Sequence, residues 1–222
     1  MSKLLIIKTG LSDKSIISKC GDCDLRIAGC AGIPYEDVKV VSVHEDSIPG
    51  LIESVSDLME DVSSIIITGS PAMITDFDPW SIATSHWIKD IVTKKIPILG
   101  ICYGHQLLAQ TFGGSVDYHS LGAEQGEVEI YLTEEGKKDP LLSVLPAHFS
   151  AYASHFQTVT KLPKNAVILA KNNFEPYHAV SYGEKIWGVQ FHPECTENFL
   201  CAASCQNSYG GILIKRFIEL AD

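Results

Sequence analysis

Basic residues are scarce in this chain of 222. Its 17 Lys and Arg face 27 Asp and Glu, a formal net charge of −10. So acidic a composition offers no basic face with which to grip nucleic acid or an anionic membrane. Long apolar runs are missing too. Even with Gly and Pro counted as apolar, the longest stretches are Ile27–Tyr35 and Ile96–Gly104, far short of the about 20 residues that cross a bilayer. Met1–Lys8 is too short an apolar run for a signal peptide and reads as a first buried strand. No Asn-x-Ser/Thr sequon occurs, and the 7 cysteines are odd in number and too dilute for a secreted disulfide scaffold. The expected compartment is the cytoplasm, with thiols reduced. With 45% hydrophobic and 20% charged residues, intrinsic disorder is excluded. An acidic enzyme or binding protein remains.

What is present is an alternation. Leu4–Lys8, Val38–Val43, Ser64–Thr68 and Ile96–Ile101 are near-continuous apolar runs, as expected of strands buried on both faces. Between them Leu51–Glu60 and Trp80–Thr93 carry apolar residues at helical spacing. The pattern predicts an α/β fold, a mostly parallel central sheet with helices on both faces, whose ligands sit beyond the carboxyl ends of the strands. The second half changes character. Glu124–Leu132 alternates charged and apolar residues, Ala166–Ala170 follows, and Ala179–Tyr182 and Ile186–Phe191 flank the hairpin signal Gly183-Glu184-Lys185. Ser208–Ala221 closes as a helix with one broad apolar face. No repeat or linker interrupts residues 1–222, so a single domain is expected.

The chemistry concentrates where a buried strand runs into Gly100-Ile101-Cys102-Tyr103-Gly104 and a helix follows at once. This is the pattern of a nucleophile elbow, with Cys in the place more often held by Ser. Flanking glycines remove Cβ atoms that would clash in so sharp a turn. The helix N-terminus favours thiolate, and the backbone N–H after the nucleophile can donate to an oxyanion. A cysteine after an apolar strand is more often a small core residue; the two glycines at these offsets argue against that. A nucleophile needs a base. Of the 8 histidines, His192 stands just past a strand, in Trp187-Gly-Val-Gln-Phe-His-Pro-Glu194. Glu194 projects to the same side in extended chain and could hold one imidazole nitrogen while the other faces the thiol. By itself a His-x-Glu pair reads as a solvated loop; with the elbow it makes a Cys102–His192–Glu194 triad.

Gly-Ile-Cys-Tyr-Gly-His-Gln followed by Gly-Val-Gln-Phe-His-Pro-Glu resembles the class I, triad-type glutamine amidotransferases. The similarity is greatest to stand-alone members related to the glutaminase domain of GMP synthase, a group that includes γ-glutamyl peptidases. The resemblance extends over nearly the whole chain and implies further roles. Gly69 and Ser70, in Ile67-Thr-Gly-Ser-Pro71, resemble the loop whose backbone joins the Tyr103 N–H in an oxyanion hole. Gln106 matches a substrate-contacting glutamine, and Ser154-His155 a segment whose backbone holds the substrate's α-amino and carboxylate groups. The family usually has Asp where this chain has Gln157. No cofactor and no metal is implied, and Gly136-Lys137 lacks the flanking residues of a phosphate-binding loop.

The implied reaction is hydrolysis of a γ-glutamyl amide, in the simplest case glutamine, through a Cys102 thioester with release of ammonia. The acceptor is either a separate ammonia-using synthetase subunit or water alone, the latter making the protein a glutaminase or γ-glutamyl peptidase. Trp80 and Asp76-Phe-Asp-Pro79 resemble the stand-alone group. A rival from another class is a non-catalytic regulatory subunit that keeps the fold, and a third is a cysteine hydrolase of the peptidase-like α/β group that shares the elbow. The other six cysteines read as core or incidental residues. Cys20-Gly-Asp-Cys23 with Cys30 lacks a fourth ligand at zinc-site spacing. Glu134-Glu135 with Lys137-Lys138 reads as a solvated turn.

Overall fold

The computed structural model describes residues 3–45, 59–195 and 208–221, and its first strand shows why the central sheet must be covered twice. In β1 (Lys3–Lys8), Leu4 and Ile6 join one hydrophobic cluster while Leu5 and Ile7 join another. The same division recurs in β3 (Val62–Ile67), where Ile66 faces one cluster and Ile65 and Ile67 the other. Side chains alternate across a strand, so a continuous apolar run demands a covering layer on each face. On the first face lie α2 (Cys23–Ala31), through Ile27, and α5 (Tyr209–Glu219), through Leu213, Ile214 and Phe217. On the second lie α3 (Pro79–Ile91), through Trp87, Ile88 and Ile91, and α4 (Tyr103–Thr111), through Leu107 and Leu108.

The main sheet has nine strands in the order β2-β1-β3-β4-β11-β10-β9-β6-β7. From β2 (Val38–Ser42) through β1, β3 and β4 (Ile98–Ile101) to β11 (Ile186–Val189) every pairing is parallel. This is the expected parallel sheet. An antiparallel half extends it through β10 (Ala179–Gly183), β9 (Val167–Lys171), β6 (Glu124–Leu132) and β7 (His148–His155). A separate antiparallel pair joins β5 (Ser115–Tyr118) to β8 (Gln157–Lys161). The hairpin expected at Gly183–Lys185 connects β10 to β11. Helix α1 (Lys14–Cys20) and helix α2, together with β5, β7 and β8, lie outside the predicted elements. The helix expected over Leu51–Glu60 falls almost wholly outside the described residues, as do Cys201 and Cys205. No helix among the described residues is long and apolar enough to cross a membrane.

Register aligns the strand ends. Ile67 of β3 pairs with Gly100 of β4, and Ile101 of β4 with Val189 of β11. Three chain segments therefore leave the sheet side by side: Thr68-Gly69-Ser70, Cys102, and Gln190-Phe191-His192. Helix α4 starts hard against β3. A Cβ on Gly104 would stand 2.4 Å from the Ile67 carbonyl oxygen, and one on Gly100 would stand 2.5 Å from the Gly104 carbonyl. Gly104→Ala is expected to destabilise the chain by about 1–3 kcal/mol through overpacking and to displace Cys102. A lowered urea midpoint together with slower Cys102 alkylation checks this; an unchanged midpoint would contradict the close approach.

Candidate active site

Cys102 occupies the turn between β4 and α4 with φ 50° and ψ −102°. A side chain in this left-handed region costs of order 1–3 kcal/mol and persists only where the surroundings enforce it. Here they do. The Cys102 N–H donates to Val189 O at 2.8 Å, its carbonyl accepts the Gln106 N–H at 3.1 Å, and the Gly104 N–H donates to Thr68 O at 3.2 Å. The elbow is thus tied to the neighbouring strand on either side. The Cys102 thiol points toward Ser154 O, 3.7 Å away.

His192 arrives from β11 and is held by β7, its N–H donating to Tyr152 O at 2.8 Å. Its Nδ1 donates to Glu194 Oε1 at 2.9 Å, with the Glu194 side chain 2% exposed. Burial alone would push the imidazole down, but the charges of Glu194 and Cys102, with hydrogen bonds to both, hold it well above its ordinary value. Burial would likewise raise Glu194; the His192 charge and hydrogen bond, then Arg26, hold it below the usual range. A Cβ built on Gly69 would lie 3.0 Å from His192 Cε1 and 3.6 Å from Cys102 Cβ. Gly69, Cys102 and His192 therefore meet over the carboxyl ends of β3, β4 and β11.

The Gly69-Ser70 loop is fixed from below. Thr9 Oγ1 donates to Thr68 O at 2.9 Å, and Ser70 Oγ donates to Thr9 O at 2.7 Å while accepting from Ala72 N at 3.1 Å. With its hydroxyl committed, Ser70 has its backbone to offer the cavity. The Tyr103 N–H, at the first position of α4, has no intrahelical acceptor.

Gln106 is buried, and its Nε2 donates to Gln157 O at 2.7 Å and to Gln190 Oε1 at 3.0 Å. Its amide oxygen is what remains for a ligand. Gln157 is spent on structure: Oε1 accepts from Ile74 N at 2.9 Å and Nε2 donates to Thr75 Oγ1 at 2.7 Å. His155 donates from Nδ1 to Gln157 O at 3.0 Å and from Nε2 to Glu124 Oε2 at 2.9 Å. Burial would raise Glu124, but hydrogen bonding to His155 and His178 holds it well below its ordinary value. His105, one turn into α4, is pushed down to about 3 by burial and then by the charges of His155 and His178, so it stays neutral.

These groups line one cavity of about 340 Å³, which takes in Gly69, Ser70, Cys102, Tyr103, Gln106, Ser154, His155 and His192. All nine expected site residues lie in or at it, with Glu194 behind His192. Its wall continues to Leu11, Ser12, Ile16 and Arg26 on the β1–α2 side, residues that carried no sequence signal. Among the described residues, two groups of side chains have possible metal-ligand atoms within 4.8 Å of one another, His192-Glu194-Cys195 and Asp22-Cys23-Asp24. In the first, His192 already bonds Glu194; in the second, Lys8 Nζ fills the place of a cation, 2.7 Å from Asp22 and 3.3 Å from Asp24. Burial pushes both the Cys23 and Cys195 thiols up to about 12, so neither offers a thiolate near neutral pH. Cys30, expected to be a reduced core thiol, is buried but disulfide-bonded.

Residues 35–200 match the family model for glutamine amidotransferase class-I. The chain belongs to the class I glutamine amidotransferases. It is 30% identical to a glutamine-hydrolyzing GMP synthase subunit from Methanococcus maripaludis over 186 residues, 82% of this chain and 86% of that one. It is 36% identical over 157 residues to a glutamine-hydrolyzing GMP synthase from Borreliella burgdorferi, covering 71% of this chain but only 27% of that longer protein. Among solved structures, a putative GMP synthase subunit protein from Thermoplasma acidophilum superposes with a TM-score of 0.75 at 20% identity, covering 100% of this chain and 94% of that one. A glutamine amidotransferase from Thermotoga maritima gives 0.72 at 18% identity, covering 99% and 97%. At such identities the structures show the fold, which this amidotransferase shares end to end.

The two shifted groups set a pH window. A raised imidazole contributes stability that is complete below its ordinary value of 6.5 and is lost as pH rises through the folded value. A depressed carboxyl contributes stability that is complete above its ordinary value of 4.5 and is lost as pH falls through the folded value. Glu194→Gln should therefore cost most between these two values. It should also lower the His192 titration midpoint by about 1–3 pH units, read from the ring resonances by NMR. An unmoved midpoint would rule out the pairing.

Proposed function

We propose that this protein hydrolyses a γ-glutamyl amide through a thioester on Cys102, releasing ammonia when the substrate is glutamine. The observation that carries this reading is the convergence of Cys102, His192 and Glu194 at three adjacent strand ends, with the His192–Glu194 hydrogen bond at 2.9 Å. Glu194 accepts the hydrogen bond from the Nδ1–H and leaves Nε2 to take the Cys102 thiol proton. The Cys102 thiolate attacks the γ-carbonyl carbon, and the resulting oxyanion receives hydrogen bonds from the Ser70 and Tyr103 N–H groups. His192 Nε2 gives its proton to the departing amine as the C–N bond breaks. It then takes a proton from water, which attacks the thioester and returns the thiol. Each oxyanion donor is worth about 3–4 kcal/mol of barrier, so the pinning of Ser70 through Thr9 serves the rate directly. The Gln106 amide oxygen and the Ser154-His155 backbone are the groups assigned to hold the glutamyl part.

Relatives designated as separate subunits of GMP synthase support a partnership with an ammonia-using synthetase on another chain. A second reading, a γ-glutamyl peptidase, draws on two observations. The cavity wall runs on to Leu11, Ser12 and Ile16, leaving room for a leaving group larger than ammonia. The Gln157 amide, at a position where the family resemblance implies a carboxylate, is committed to Ile74 and Thr75. Steady-state kinetics on the isolated chain with glutamine and with γ-glutamyl dipeptides separate the two: a higher kcat/KM for dipeptides selects the peptidase. Under either reading Cys102→Ala should lower kcat by about 10⁴-fold or more with its unfolding midpoint unchanged. A variant that kept its rate would sink both.

A further inference from the structure

Arg26, on α2, is 4% exposed, and a buried guanidinium is costly unless an anion compensates it. Its Nη1 donates to Gly21 O at 2.7 Å and its Nη2 to Ser12 Oγ at 3.2 Å, both neutral acceptors. Its Nε finds no acceptor among the described residues. The nearest carboxylates in sequence, Asp22 and Asp24, are both taken by Lys8. Glu194 is in a matching position. It lines the same cavity, is 3% exposed, gives Oε1 to His192, and leaves Oε2 buried without a hydrogen-bond partner among the described residues. Two orphaned atoms of opposite charge thus stand in one wall.

Resting on the triad reading above, we propose that Arg26 is a positioning residue for catalysis, its guanidinium keeping Glu194 ionised so that charge alternates from Arg26 through Glu194 and His192 to Cys102. The two groups act on each other across the wall without a direct contact: Glu194 is the foremost charge acting on Arg26, and Arg26 follows His192 among the charges that hold Glu194 down. The other titratable groups around the pair are Cys20, Cys23 and Cys195. Cys23 and Cys195, pushed up to about 12, stay neutral across the working range and supply no competing anion. Lys8, the other cation that acts on this wall, is bound by its two aspartates. Removing the Arg26 charge therefore leaves the Glu194 carboxyl easier to protonate, and a protonated Glu194 no longer holds the His192 charge beside Cys102.

The test compares wild type with Arg26→Gln, which keeps a donor for Gly21 without the charge, and Arg26→Lys, which restores the charge. Two pH profiles are measured on the full chain, kcat/KM for its best γ-glutamyl substrate and the rate of Cys102 alkylation by iodoacetamide. For Arg26→Gln both acid limbs should move up by about one pH unit, with kcat down roughly tenfold and KM within about twofold. Arg26→Lys should bring the limbs back even where its urea midpoint is lowered. An Arg26→Gln protein that is less stable but has unmoved limbs, or a lysine variant that fails to restore them, overturns the proposal. Should Arg26→Gln not fold, Arg26→Lys with a wild-type limb and Arg26→Met bearing a shifted alkylation profile support it, and an unshifted one in Arg26→Met overturns it. Alkylation needs no substrate, so wild-type inactivity on every γ-glutamyl compound would count against the function alone.

Discussion

At the carboxyl ends of β3, β4 and β11 three segments leave the sheet within one hydrogen-bonded register, and α4 begins within a glycine's width of β3. That close approach is the constraint on which the site depends. With the Gly104 backbone against Ile67 O, the chain must turn through Cys102 in a left-handed conformation, and the Cys102 N–H must reach back to Val189 O. The same strand, β11, then delivers His192. The antiparallel half of the sheet supplies the last clamp, since Tyr152 of β7 accepts the His192 N–H. The parallel half thus positions Cys102, and the antiparallel half fixes His192.

Electrostatics builds on this geometry. The site is largely buried, where an unpaired charge is costly and a paired one interacts strongly. Glu194 and His192 compensate each other, and the balance of their shifts favours the ion pair over two neutral groups. The histidines deeper in the wall are kept out of this exchange by separate means. His105 is held neutral by burial, while His155 gives both ring nitrogens to acceptors of its own. That leaves the His192 imidazole beside the Cys102 thiol, the pair on which the proposed reaction draws.

Much of this was legible in the chain. The elbow announces itself because backbone contact requires glycine at both flanks of Cys102, and His192-Pro-Glu194 because extended geometry puts the two side chains on one side. The parallel strands show as continuous apolar runs for the same reason that they need two covering layers. What escaped prediction lacks such local signals. Helix α1 has no buried residue and spans one short stretch, Lys14–Cys20, too brief for a helical apolar period to show. Strand β7, His-Phe-Ser-Ala-Tyr-Ala-Ser-His, shows neither a continuous apolar run nor a clean alternation, and forms because Glu124–Tyr131 lies alongside it. The loss of a free thiol at Cys30 and the inward turn of Arg26 are tertiary events, set by what packs against them. The Gln106 bond to Gln190 spans 84 residues and has no trace in spacing.

In the proposed reaction Cys102 carries the glutamyl group as a thioester. Rapid acid quench of the chain during turnover of glutamine or a γ-glutamyl dipeptide, followed by peptide mass spectrometry, tests it directly. A glutamyl adduct is expected on the Cys102 peptide, building up in Glu194→Gln, where deacylation is slowed, and absent from Cys102→Ala. Turnover with no adduct at any quench time in either protein, or an adduct carried by another residue, would contradict it.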